Sequence, residues 1–111
     1  MKEIKVFPKE YQFCRILWEY EPVTTTQLVH LCKERLSWSK STTYTVIRRL
    51  VNRKIIKKDH SLCYSLVSKK EIQCLLVSDL ALEYFDDYSE FVKIVKQIPF
   101  YMLQTEKDGI C

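Results

Sequence analysis

The stretch from residue 36 to residue 68, LSWSKSTTYTVIRRLVNRKIIKKDHSLCYSLVS, decides the fold. Ser39 stands just before a segment in which Val46, Ile47 and Leu50 recur at helical spacing up to Arg53. A serine in that position caps a helix by accepting a bond from a free backbone N–H of the first turn. The apolar stripe is narrow, so this third helix is expected to be short and only partly buried. At about 100° per residue, its opposite side carries Ser41, Thr45, Arg48 and Asn52, with Tyr44 beside them. From Ile55 to Val67, β-branched and aromatic residues alternate around Asp59-His60-Ser61. That is the pattern of two short strands joined by a tight turn, made here without glycine.

Upstream, Tyr11, Cys14, Leu17 and Trp18 are spaced for a helix from Pro8 to Tyr20, with Pro8 in a first-turn position that needs no N–H. Thr24 followed by Gln27 is a capping box and starts a second helix to about Leu36, burying Leu28, Leu31 and Cys32. Downstream, Ser68 with Glu71 repeats that box ahead of a long helix to about Phe85. Its Ile72, Leu75, Leu76, Leu80, Ala81 and Leu82 spread over more of the circumference than one neighbour covers. A shorter helix is expected from Ser89, carrying Phe91, Val92, Ile94 and Val95, until Pro99 ends it. Residues Gln104 to Cys111 are expected to fray.

Three helices followed by a hairpin is the order of a winged helix. The expectation is an α+β, mostly α protein: a winged helix-turn-helix DNA-binding domain over residues 1–68 and a helical dimerisation region over residues 69–111.

Composition narrows the function. In 111 residues, 47% hydrophobic and 29% charged, there is material for one core. One Gly and three Pro leave no phosphate-cradling glycine loop. No run approaches the roughly 20 apolar residues of a membrane span, and the first residues lack a signal-peptide core, so a cytoplasmic protein is expected. Five cysteines without CxC or CxxC spacing suggest neither a disulfide framework nor a zinc ribbon. His30 and His60 have no ligand partners at metal spacing, and no nucleophile motif appears, so no metal, cofactor or enzymatic activity is expected. The net charge of +4 hides a division: residues 1–70 hold 15 Lys and Arg against 6 Asp and Glu, and residues 71–111 hold 3 against 8. A basic first part suits a polyanion, and an acidic, apolar second part suits a protein partner.

The candidate DNA-binding residues follow. Ser39, Lys40, Ser41 and Thr42 begin the third helix and Tyr44, Thr45 and Arg48 continue its polar side. Hydroxyls bind phosphates or base edges, arginine reaches guanine with two bonds, and tyrosine packs on sugar. Thr24, at the start of the second helix, is assigned to the same surface. Lys57, Lys58 and His60 sit where a wing lies along phosphates, although lysines on an edge strand also guard against aggregation. Arg49 and Arg53 lie nearer the buried side, and one of them is expected to pair with an acidic residue or a helix end. The candidate dimerisation residues are Ile72, Leu75, Leu76, Leu80, Phe85, Phe91, Ile94 and Val95.

The sequence resembles the penicillinase-repressor family of winged-helix transcriptional regulators, the BlaI/MecI/CopY type. The resemblance rests on Glu10-Tyr11, Leu17-Trp18, Pro22 and Thr24. It continues through Trp38-Ser39, Thr42, Thr45, Arg49-Leu50 and Arg53, then Tyr64-Ser65-Leu66-Val67-Ser68, within roughly residues 8 to 98. It implies a homodimeric repressor in which a winged helix binds each half of an inverted-repeat operator and the carboxyl-terminal helices of two subunits interlock. Lys54 stands where relatives usually have Gly, and Lys40 where they often have Pro. Relatives that respond to β-lactams are cut at an Asn-Phe bond, whereas the one asparagine here is Asn52, followed by Arg53. Copper-responsive relatives carry CxC pairs, and this chain has none. The rival readings are an accessory DNA-binding protein of a plasmid or mobile element, a winged-helix protein-interaction module, and a thiol switch at Cys63, Cys74 or Cys111.

Overall fold

In the computed structural model, which describes residues 5–103, α1 spans Pro8–Tyr20. Glu10 accepts the Phe7 N–H at 2.9 Å, satisfying a donor that would otherwise be left open at the helix start. Phe13, Cys14, Ile16 and Leu17 are buried, while Tyr11 and Trp18 meet edge to face at 5.7 Å on the rim. A two-residue strand, β1 (Val23–Thr24), leads into α2 (Thr25–Leu36). The expected capping box is formed: Gln27 N–H reaches the Thr24 hydroxyl at 3.2 Å and the Thr24 N–H reaches Gln27 Oε1 at 3.1 Å. Ser37, at φ 59°, ends α2 in the left-handed region, and its N–H bonds back to the Lys33 carbonyl at 3.2 Å. That reversal delivers Trp38 into the core, stacked on Phe13 with ring centres 6.3 Å apart.

Helix α3 covers Lys40–Asn52, capped by Ser39, whose hydroxyl accepts the Thr42 N–H at 3.1 Å. Val46, Ile47 and Leu50 are buried as the stripe requires, together with Thr43, whose hydroxyl donates to the Ser39 carbonyl at 3.2 Å. Lys54 makes the helix exit at φ 62°, a left-handed conformation for which glycine would be easier. The hairpin follows as β2 (Ile56–Asp59) and β3 (Leu62–Ser65), antiparallel, with Asp59 opposite Leu62. His60, at φ 61°, takes the first position of the two-residue turn, one of the few non-glycine residue types that tolerate it.

Strand β1 pairs with β3, Val23 opposite Cys63, so the sheet has three strands in the order β1-β3-β2. The two residues of β1 carry no measurable period, so sequence pattern predicts the hairpin alone. Two further bonds tie α1 to the sheet and its exit. Glu21 accepts the Ser65 N–H at 2.6 Å, and Trp18 Nε1 donates to the Val67 carbonyl at 3.2 Å.

Helices α4 (Lys69–Tyr84) and α5 (Tyr88–Gln97) complete the described chain, and α4 begins with the expected Ser68–Glu71 box. The chain divides into two compact units between Leu76 and Val77, within α4. Ile72 is fully buried in the first unit's core, and Leu75 and Leu76 pack against that core. The assignment of Ile72 to a dimer face is therefore corrected, since a side chain with no exposed area has none left for a second subunit. Leu75 and Leu76 are half-buried.

In the second unit, α5 begins at Tyr88, one residue before the expected Ser89, and is capped by Asp87, which accepts the Glu90 N–H at 2.8 Å. Phe91 meets Phe85 edge to face at 5.3 Å. No residue of α5 is buried. Val77, Leu80, Leu82, Tyr84, Ile94 and Val95 are among the exposed large apolar side chains, Leu82 at 81%. The expected fraying of residues 104–111 lies outside the described residues, as does Cys111.

Candidate nucleic-acid interface

Helix α3 presents two different sides because its apolar residues are confined to one stripe. On the outer side Lys40, Ser41 and Arg48 are exposed, and Thr42, Tyr44 and Thr45 are half-buried. The cap uses part of this chemistry. Ser39 accepts from the Thr42 N–H and its hydroxyl donates to Thr42 Oγ1 at 2.9 Å, so Ser39 is occupied with starting the helix. Thr42 receives that bond and keeps its own hydroxyl proton for another acceptor. Ser41 Oγ lies 3.3 Å from Ser39 Oγ. The Lys40 ammonium stands 6.0 Å from the centre of the Tyr44 ring, near the outer limit for a cation held over an aromatic face.

The two arginines whose roles the sequence left open are now separated. Arg53 Nη1 lies 2.6 Å from Glu10 Oε1 in an ion pair whose Glu10 side chain is only 5% exposed. Arg49 is exposed and, like Arg48, makes no ion pair among the described residues. The helix thus offers two uncompensated guanidinium groups on its outer half, one on either side of Thr45.

Strand β2 is a sheet edge, and its side chains alternate across it, so Lys57 and Lys58 leave by opposite faces. Lys58 lies opposite Cys63. Burial pushes the Cys63 thiol up from its ordinary value, while the Lys58 ammonium pulls it down. Both lysines are exposed and free of ion pairs among the described residues. His60, at the tip, has Nδ1 2.9 Å from Asp59 Oδ1. Thr24, the remaining sequence candidate, is half-buried, and its hydroxyl belongs to the α2 capping box.

The structure thus brings the start and outer face of α3 together as one surface of hydroxyls, an aromatic ring and unpaired cations, with an edge-strand hairpin carrying two further lysines. Among the described residues no group of three or more His, Cys, Asp or Glu side chains is placed to hold a metal ion, and no helix is long and apolar enough to cross a membrane.

Three helices, a three-stranded sheet with a hairpin, and a polar, basic third helix define a winged helix-turn-helix protein. The penicillinase-repressor family model matches residues 8–98, spanning both the winged fold and the two helices after it, and the chain belongs to that family. The family is one of DNA-binding transcriptional repressors, not of enzymes. A search of curated proteins returned no match.

Proposed function

We propose that this protein is a cytoplasmic homodimeric repressor that occupies an inverted-repeat operator, each subunit placing α3 in the major groove of one half-site. The observation that carries the reading is the outer face of α3, where Arg48 stands exposed and unpaired beside Tyr44 and Thr45 in a chain of a repressor family. Arg48 is the base-reading residue, because a free guanidinium presents two parallel donors to guanine O6 and N7. Tyr44, Thr45, Thr42, Ser41 and Lys40 position the helix on sugar and phosphate, and Lys57, Lys58 and His60 add contacts along the backbone. Ser39 and Thr24 act by fixing the helix starts from which these groups project.

The second unit supports the dimer. Leu80, Ile94 and Val95 are between 44% and 49% exposed, and no residue of α5 is fully buried. An apolar surface of that kind marks an association site. Phe85 and Phe91, in contact with one another, stiffen it from within. Two linked half-site contacts then raise affinity through effective concentration, and two-fold symmetry matches a palindromic site.

The test combines light scattering with fluorescence anisotropy on labelled duplexes. The expected results are a two-chain mass, two chains per bound duplex, and an Arg48→Ala protein that loses preference at one base pair per half-site at a cost of about 1–3 kcal/mol. A one-chain mass at micromolar concentration, or an Arg48→Ala protein with unchanged base preference, contradicts the corresponding part of the proposal.

A further inference from the structure

A groove between the start of α1 and one flank of α3 borders the face described above, and its α1 side and Arg49 have no role in that reading. Phe7, Pro8, Lys9, Ser41, Thr45 and Arg49 help to line it. Lys9 and Arg49 are exposed and make no ion pair among the described residues. The only carboxylate among the lining residues is Glu10, which is buried and accepts bonds from the Phe7 N–H and from Arg53. The charge left for solvent is therefore wholly positive.

The groove is held in shape by Arg53. Besides the Glu10 pair, its Nη1 donates to the Lys5 carbonyl at 3.2 Å, and its guanidinium carbon lies 5.4 Å from the centre of the Phe7 ring. One side chain thus fixes residues 5–7 and the first turn of α1 against the end of α3, and so keeps Lys9 on a rigid element across the groove from Arg49. Two such cations without a counter-charge repel each other, and an anion between them removes that repulsion. About Thr45, Arg49 is turned by about 40° one way and Arg48 by about 60° the other. A helix in a major groove has a phosphate backbone on each side of it, and the α1 flank faces one of them.

We propose that Lys9 and Arg49 form a second DNA-contacting edge, a clamp on the phosphodiester backbone along the α1 flank of α3, with Arg53 and Glu10 as its positioning pair. The inference rests on the DNA-binding reading above. It assigns Arg49 to affinity rather than to base choice, and it adds α1 to the interface.

The test is the salt dependence of binding to a labelled random-sequence duplex, measured with the full-length chain and with Lys9→Gln/Arg49→Gln. Each lost phosphate contact lowers the log–log slope by about 0.9, so raising salt fourfold weakens the wild type about 12-fold more than the double variant. Both side chains are exposed and unpaired, so the variant is expected to keep the wild-type circular dichroism and thermal midpoint. A control pair outside this groove, Arg15→Gln/Lys33→Gln, removes the same charge and is expected to keep the wild-type slope. An unchanged slope in Lys9→Gln/Arg49→Gln, or an equal change in the control, overturns the clamp while leaving the repressor reading intact. A wild type that binds no duplex at low salt overturns both.

Discussion

Replacing Arg53 with Met removes the guanidinium from Glu10 while leaving an unbranched chain over the Phe7 ring. The Glu10 side chain is 5% exposed and then keeps only the Phe7 N–H as a partner. Removing one member of a buried ion pair costs about 3–5 kcal/mol, because the other charge stays behind in a poor solvent. Arg53 is 30% exposed, so water reaches part of the site, and the expected loss is about 2–3 kcal/mol. Glu10→Gln keeps an acceptor for Phe7 and removes the charge, at about 1 kcal/mol. The double variant is then expected to reveal a coupling of about 2 kcal/mol. Urea unfolding at one fixed protein concentration measures this, since the proposed dimerisation would make apparent stability depend on concentration. With a slope of about 1 kcal/mol per molar urea, the Arg53→Met midpoint falls by about 2–3 M. A loss below about 0.5 kcal/mol would mean that the pair behaves as a solvated surface contact, and the argument for a pinned α1 would fail.

Three further outcomes are expected. Ile72→Ala opens a cavity in the first unit's core and lowers its stability by about 2–5 kcal/mol in urea unfolding, whereas a loss under about 1 kcal/mol would return Ile72 to a surface role. Ser68→Ala removes the α4 cap at a cost of about 1 kcal/mol. The Ser68 N–H and hydroxyl hold the Glu71 carboxyl below its ordinary value, so the cap's contribution is present above the ordinary carboxylate range and fades as pH falls through Glu71's lowered value. Because Ser68→Ala keeps the backbone N–H, the check is Glu71→Gln: a wild-type/Glu71→Gln stability difference that stays constant down through that range would oppose this. Iodoacetamide at mildly alkaline pH is expected to label Cys74 and spare Cys14, Cys32 and Cys63, all three buried. Burial pushes Cys14 to about 12 and Cys32 to about 11, so above about pH 9 the unfolded thiols ionise first and stability declines with rising pH. Native labelling of Cys14 or Cys32, read by mass spectrometry, would contradict their burial.

What the sequence discloses here is mostly local. Each of the three caps at Thr24, Ser39 and Ser68 depends on a residue three places further on, and all three are formed. The outer face of α3 was equally legible, because one narrow stripe leaves the rest of the helix to solvent. Strand β1 was not, since its two residues have no periodicity and its pairing with β3 lies some forty positions away. Arg49 and Arg53, one helical turn apart, share a side of α3, and only the approach of α1 gives Glu10 to Arg53. That Ile72 lies in the core rather than on an open face is not legible for a related reason. An apolar residue on a helix that is apolar all round does not declare whether its own chain or a second copy covers it. The shorter helix expected from Ser89 begins one residue earlier, at Tyr88, because the Asp87 carboxylate accepts the Glu90 N–H and so caps it.

The most direct test of the account is selection from a random duplex pool at near-physiological salt with the full-length chain, sequencing what is retained. The account predicts enrichment of an inverted repeat whose half-sites lie about one helical turn apart, centre to centre, each with a guanine whose preference disappears in Arg48→Ala. Retention without enrichment, or no retention at all, would contradict it.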